Sequence, residues 1–245
     1  MVEIDAQGVH YRDLNQRVRR LIGQGKREFN LINVNGQRYI GDGLASSVRM
    51  EINGTPGNDL AAFASGVEIT VHGNVQDGVA NTLNNGRLIV HGHAGDILGY
   101  GMRGGQVYIK GKVGYRVGIH MKGYREQEPV IIIGGTAGDF LGEYMAGGKI
   151  ILLGLNRIRD EALVGNHLAV GMHGGVIYLR GEVEPNKLGR EVRPEKLGQD
   201  DWDDLERLLA DYCREFDFSL KEIISADFWK LIPVSSRPYG KIYAY

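Results

Sequence analysis

The sequence predicts a mainly β protein: a right-handed parallel β-helix, a single-stranded solenoid of about seven coils with helical flanks at both ends. Three observations carry this prediction. Segments in which a strand ends at a glycine recur at a fixed spacing, for GVEITVHGNV (Gly66–Val75), NGRLIVHGHA (Asn85–Ala94) and GGQVYIKGKV (Gly104–Val113) lie nineteen residues apart. Within each segment, apolar residues occupy every second position. Glycine is used 37 times in 245 residues, roughly twice its ordinary frequency. Self-similarity at such a period marks a stacked solenoid, and alternation of two marks strands. A helical solenoid fits poorly, because a glycine inside a helix costs about 1 kcal/mol relative to alanine.

Three regions follow from the pattern. Residues 1–37 read as an N-terminal cap. Tyr11, Leu14, Val18, Leu21 and Ile22 share one helical stripe, Gly25 stops the helix, Phe29–Val34 reads as a strand and Asn35-Gly36 as a tight turn. Residues 38–183 form the solenoid. Its rungs end at Gly54, Gly73, Gly92, Gly111, Gly135, Gly154 and Gly181; the later steps are 24, 19 and 27 residues, so extra residues enter between constant positions. Met50 and Ile52, Ile69 and Val71, Leu88 and Val90, and their counterparts to Ile177 and Leu179 point inward, because residues two apart share a face. Leu60, Val79, Leu98, Val117, Leu141 and Leu168 make a further ladder, each followed by a small residue (Ala61, Ala80, Gly99, Gly118, Gly142, Ala169). Leu83, Met102, Met121, Met145 and Met172 make another. Asn58, Asp77, Asp96, Asp139 and Asn166 share a register that suits turns, their side chains bonding nearby backbone. The extra segments Tyr124–Pro129 and Asn156–Val164 are expected to project as loops, so that deleting Asn156–Val164 leaves the fold intact. Residues 184–245 hold a polar linker (Glu184–Asp201), a helical face of Trp202, Leu205, Leu208, Leu209, Tyr212 and Phe216, a short helix over Leu220–Ile224, and an aromatic, basic tail that packs or docks.

Composition narrows the function. The 29 Lys and Arg against 30 Asp and Glu give a net charge of -1 and no expectation of a nucleic-acid partner. The N-terminus, MVEIDAQGVHYRDLNQ, lacks an apolar signal core, and no run approaches eighteen apolar residues, so the expected home is the cytoplasm, with no membrane span. The one cysteine, Cys213, reads as a buried helix-face residue. Neither a nucleophile elbow nor a Walker A loop occurs, and the G-x-G patterns end repeat strands rather than open helices. No catalytic or cofactor-binding residue is assigned. Two constellations stand out. His72 and His91 share a repeat position, and His93 follows, so adjacent coils could assemble a zinc site. Later rungs carry Lys110, Gly134, Leu153 and Arg180 there, which favours a surface ladder. Arg103, Lys122 and His173 follow the ladder methionines and define a basic edge, either solvated or facing an acidic partner.

The segments GDILGYGMRGGQVYIKG, GDFLGEYMAGGKIILLG and GNHLAVGMHGGVIYLRG resemble the GXGXG repeats of glutamate synthase, the C-terminal β-helix (domain 3) of its large subunit. The likeness runs from about Gly36 to Val183 and includes the spacing G-[DN]-x-L-[GA]-x-x-M-x-G-G. It implies a scaffold. In that enzyme an amidotransferase domain and a flavin barrel do the chemistry, and the β-helix holds them. Here no cysteine nucleophile follows Met1 and 245 residues leave no room for those domains. The resemblance therefore implies a stand-alone, non-catalytic subunit of a split glutamate synthase-like oxidoreductase. Its partners would be a flavin-binding synthase subunit, an amidotransferase subunit and an iron–sulfur subunit, with flavin and iron–sulfur on those partners and no cofactor on this chain. A homo-oligomer stays open. Related β-helices occur in formylmethanofuran dehydrogenase and N-methylglutamate synthase, which gives a second reading. An independent enzyme such as a hydrolase is the third; the register of Asp77, Asp96 and Asp139 would be its carboxylates.

Overall fold

The structure, a computed structural model, describes residues 1–158 and 160–236. It is a parallel β-solenoid. β1 (Val2–Asp5) and α1 (Tyr11–Gly23) lead into β2 (Glu28–Asn35), and one strand per coil follows: β3 (Val48–Thr55), β4 (Ser65–His72), β5 (Asn85–Val90), β6 (Gln106–Ile109), β7 (Val130–Ile133), β8 (Ala146–Leu152) and β9 (Gly174–Arg180). β1 to β9 pair in sequence order, all parallel. The seven glycine-ended rungs, β3 to β9, enclose about six complete turns. The stack then stops, because β9 pairs not with another coil but with antiparallel β11 (Phe228–Pro233), which pairs in turn with β10 (Val192–Lys196).

The registers place like over like. Met50, Ile69, Leu88, Val107, Ile131, Ile150 and Ile177 are successive partners, and so are Ile52, Val71, Val90, Ile109, Ile133, Leu152 and Leu179. All are buried, as are the Leu60 and Met102 ladders. One ladder was not read from the sequence: Val75, Ala94, Val113, Ala137 and Val164, also buried. It corrects the expected loop over Asn156–Val164. Leu163 and Val164 belong to the core; Ala137 N donates to the Leu163 carbonyl at 3.2 Å, and Val164 bridges Ala137.

Opposite the sheet, each coil returns through a turn face with a repeated backbone. Residues 59, 61 and 63 have positive φ, and so do 78, 80 and 82, 97, 99 and 101, 116, 118 and 120, 140, 142 and 144, and 167, 169 and 171. The middle residue is the small one. Its N–H bonds the coil before, as Gly99 N to Val79 O at 2.8 Å, while its outer neighbours bond the coil after, as Ile97 N to Tyr115 O at 2.8 Å. Backbone groups are thus satisfied in both directions. A Cβ at Gly99 would lie 2.5 Å from Ile131 Cδ1, so this corner is also tight.

The ends are closed differently. At the first, α1 buries Leu14 and Val18 against Ile4 and Phe29, and Gly25 (φ +87°) ends it with Gly25 N to Ile22 O and Lys26 N to Leu21 O. Gln37, buried, donates to the Ala6 and Val9 carbonyls and accepts from Asn35 N at 2.7 Å, which ties this cap to the first coil. At the other end α2 (Gln199–Phe216) and α3 (Leu220–Ile224) lie on the outer face of the sheet. There Leu205, Leu209, Tyr212 and Phe216 meet the outward Ile89, Tyr108, Ile132, Ile151 and Tyr178 in a second core. Cys213 is buried in the same helix, and burial pushes its thiol pKa up. Of the aromatic tail, 228–233 packs as β11; 237–245 lie outside the described residues.

Candidate functional site

The ends of the strands and the turns after them carry the polar side chains, and stacking decides what each can do. Asp77 Oδ1 accepts from Asp96 N at 2.8 Å, Asp96 Oδ1 from Tyr115 N at 2.8 Å and Asp139 Oδ1 from Asn166 N at 2.7 Å. The expected turn role holds, with one difference: the backbone bonded is that of the next coil. Glycines make the space. A Cβ at Gly95, Gly114 or Gly165 would overlap the carboxylate oxygen below it. The same device recurs three residues earlier, where His93 N donates to Asn74 Oδ1 at 2.8 Å and His93 Nδ1 accepts from Lys112 N at 2.9 Å.

That contact separates the three histidines. His72 and His91 do come together, their rings stacked with centroids 5.1 Å apart, and His72 Nε2 donates to Glu51 Oε2 at 2.8 Å. His91 also meets the edge of Phe216 at 5.2 Å. Burial, then His72 and Lys110, hold its pKa below the ordinary imidazole value. His93 points away into its rung-to-rung bond. Among the described residues no group of three or more His, Cys, Asp and Glu side chains is placed to hold a metal ion. Further along the same column α2 covers the sheet, and Lys110 lies over the Phe216 and Phe218 rings. Tyr212 Oη donates to the Ile109 carbonyl at 3.1 Å, and a side chain at Gly134 would collide with that hydroxyl.

The repeat glycines fall into two groups. At Gly73, Gly92, Gly111 and Gly135 a Cβ would strike the backbone of the glycine one coil before, so the column is a line of close approach. Gly54 meets the Val34 carbonyl in the same way. Gly154 and Gly181 stand apart: the first faces Leu163, and the second (φ +106°) meets nothing within 4 Å and donates to the Asp227 carbonyl.

The basic edge is divided. Arg103 N bonds Leu83 O and Lys122 N bonds Met102 O, so both sit in register on adjacent coils. Together they line an exposed concavity of about 470 Å³ on the turn face, walled by Tyr100 and Tyr124. His173 lies beyond Ala146 and is not part of it; its Nδ1 is 3.0 Å from the Gly171 carbonyl. The concavity instead takes in His120, which sequence reading passed over. His120 stands four residues before the segment Tyr124–Pro129 and nineteen after Gly101, so the repeat did place it on the turn face. Its ring is fixed between Tyr100 (5.9 Å, edge-on) and Tyr144 (5.3 Å, stacked).

A glycine-laddered parallel solenoid in which a column of Asp side chains bonds the backbone of the next coil is the class that this fold and these registers define. The chain belongs to the GXGXG motif family, whose model matches residues 26–234; this is the family of the third domain of glutamate synthase. It is also similar to the uncharacterized protein MJ1350 of Methanocaldococcus jannaschii, with 39% identity over 250 residues that cover 99% of this chain and 96% of that protein. No described helix is long and apolar enough to cross a membrane.

Proposed function

We propose that this chain is a non-catalytic scaffold subunit of a glutamate synthase-like oxidoreductase. In this reading an amidotransferase subunit releases ammonia from glutamine. The ammonia meets 2-oxoglutarate on a flavin-binding subunit, and electrons arrive through an iron–sulfur subunit. The chain holds these partners in the cytoplasm. Family membership over residues 26–234 is the observation that carries the reading. The registers agree with it: Asp77, Asp96, Asp139 and His93, the side chains best suited to acid–base work, serve as acceptors for backbone N–H groups one coil on. With Cys213 as its one cysteine, the chain cannot supply the thiolates of an iron–sulfur cluster, and the reading assigns that group to a partner.

The test is a gentle affinity purification from the native cell, with mass spectrometry of what comes with the chain. Recovery of a flavin-binding synthase subunit and an amidotransferase is the expected result. A formyl dehydrogenase subunit holding molybdenum or tungsten, or a methyltransferase partner, would refute it and move the scaffold to the formylmethanofuran or N-methylglutamate type of complex. A chain that purifies alone would refute any scaffold role.

A further inference from the structure

We propose that the concavity between Arg103 and Lys122 is a binding site for a small oxyanion carrying two negative charges, of the phosphate-ester or dicarboxylate type. Neither the family match nor the scaffold reading assigns a ligand there, and the proposal stands apart from both.

The argument begins with the stacking. In a solenoid, residues at one register lie about 4.8 Å apart from coil to coil. The bonds Arg103 N to Leu83 O and Lys122 N to Met102 O fix that spacing for these two positions. The backbone thus holds the two basic residues at one register on adjacent coils, and both side chains line the same concavity. Several other cations on the solenoid have counter-charges or partners from α2 and α3: Arg116 pairs with Glu143 at 3.0 Å, Lys112 with Glu161 at 2.6 Å and Lys149 with both Glu128 and Asp204 at 2.7 Å, while Lys110 lies over the Phe216 and Phe218 rings and Arg180 donates to the Ile223 carbonyl. Arg103 and Lys122 form no ion pair with any described residue, and no acidic side chain lines their concavity. The missing counter-charge is the first requirement of an anion site.

The remaining walls supply donors and shape. His120 is held between the Tyr100 and Tyr144 rings and lines the concavity. Tyr100 and Tyr124 are exposed and offer hydroxyl groups and flat apolar faces. Tyr124 is positioned by a tight loop in which Tyr124 and Gln127 exchange backbone hydrogen bonds at 3.1 Å. That loop is the extra segment of the 24-residue step, so the insertion builds one wall. The volume of about 470 Å³ lies within the range of small-ligand sites. A guanidinium beside an ammonium recognises an oxyanion through charge-assisted hydrogen bonds, the guanidinium in a forked geometry.

The test uses the full chain and two probes, inorganic pyrophosphate and succinate, titrated by calorimetry at low ionic strength. Saturable binding of either probe is expected, weakened at least about tenfold when R103Q and K122Q are combined. The control K26Q, an exposed cation at the other end of the molecule, should bind as the native protein does. Preference for pyrophosphate would identify a phosphate-type ligand, and preference for succinate a dicarboxylate. Both altered positions are exposed, and unchanged thermal midpoints would verify that the variants fold. Absence of saturable binding, equal binding by the double variant, or an equal loss in K26Q would overturn the proposal. So would binding of a poly-glutamate peptide alone, which would make the concavity a docking strip for an acidic chain.

Discussion

Replacing Gly114 by alanine tests the rung-to-rung architecture at one atom. Gly114 does not have positive φ, so the change probes space and not backbone strain. The new Cβ would overlap Asp96 Oδ1 and stand 2.9 Å from the Gly95 carbonyl carbon and 3.0 Å from Asp96 N. The carboxylate must leave, and Tyr115 N loses its 2.8 Å acceptor, which costs about 1–1.5 kcal/mol. The backbone contacts cannot move aside as a side chain can, and easing them apart adds about 1–3 kcal/mol. G114A should therefore lose about 3 kcal/mol, and D96A alone about 1 kcal/mol. The double variant isolates the cause. With the carboxylate gone, G114A pays only the backbone part, so the two losses together should fall short of additivity by about 1 kcal/mol. Equilibrium unfolding in guanidinium chloride measures all three. A G114A protein within about 0.5 kcal/mol of native, or losses that simply add, would refute the assignment of this glycine to its neighbour's carboxylate.

Two further outcomes follow from other contacts of the fold. Burial alone would raise the Asp204 and Asp201 carboxyl pKa values, but hydrogen bonds from Lys149 and Arg207 to the first, and from Lys230 and Gly198 N to the second, hold both below the ordinary value. Depressed acids stabilise the fold fully above the unfolded carboxylate pKa, near about 4, and lose that contribution as pH falls through their folded values. The thermal midpoint should therefore drop on acidification with a shallower slope in D204N; parallel acid limbs would contradict the pairing. Removing 156–162 and closing the gap with glycines should leave the thermal midpoint near native. Removing 156–164 takes Leu163 and Val164 out of the core and should cost at least about 3 kcal/mol. Equal midpoints for the two deletions would show that these residues are not core.

The solenoid was legible because stacking makes each register a column with one physical demand. Apolar columns, the close-approach glycines and the Asx column all repeat, and a column repeated on several coils stands out from any single residue. What repeats weakly was not legible. β1 (VEID) is four residues long, and β10 (VRPEK) carries charges and a proline. Both are edge strands, where charge and proline blunt further pairing and also erase the strand pattern. The turn face was hidden for a different reason. Ile97, Arg116, His120 and Tyr144 have positive φ, which local preference denies to such side chains. The alternating bonds to the coils before and after impose it, and those bonds belong to no one segment. The basic edge was half legible: the register of Arg103 and Lys122 repeats, whereas His120 joins them only through the depth of the turn.

The position of α2 on the outer sheet has a consequence for how the chain is made. Its residues reach far back along the sequence: Glu215 to Arg87, Tyr212 to Ile109, Asp204 to Lys149, Asp201 to Tyr178. Synthesis runs from the N-terminus, so every rung emerges before the helix that covers it. Until residues 199–216 leave the ribosome, Ile89, Tyr108, Ile132, Ile151 and Tyr178 form a wet apolar stripe on a nascent sheet, the kind of surface that invites chaperones or self-association. The part of the chain from residue 199 onward is thus a seal applied late, and a truncated product lacking it would carry stacked rungs with an adhesive side.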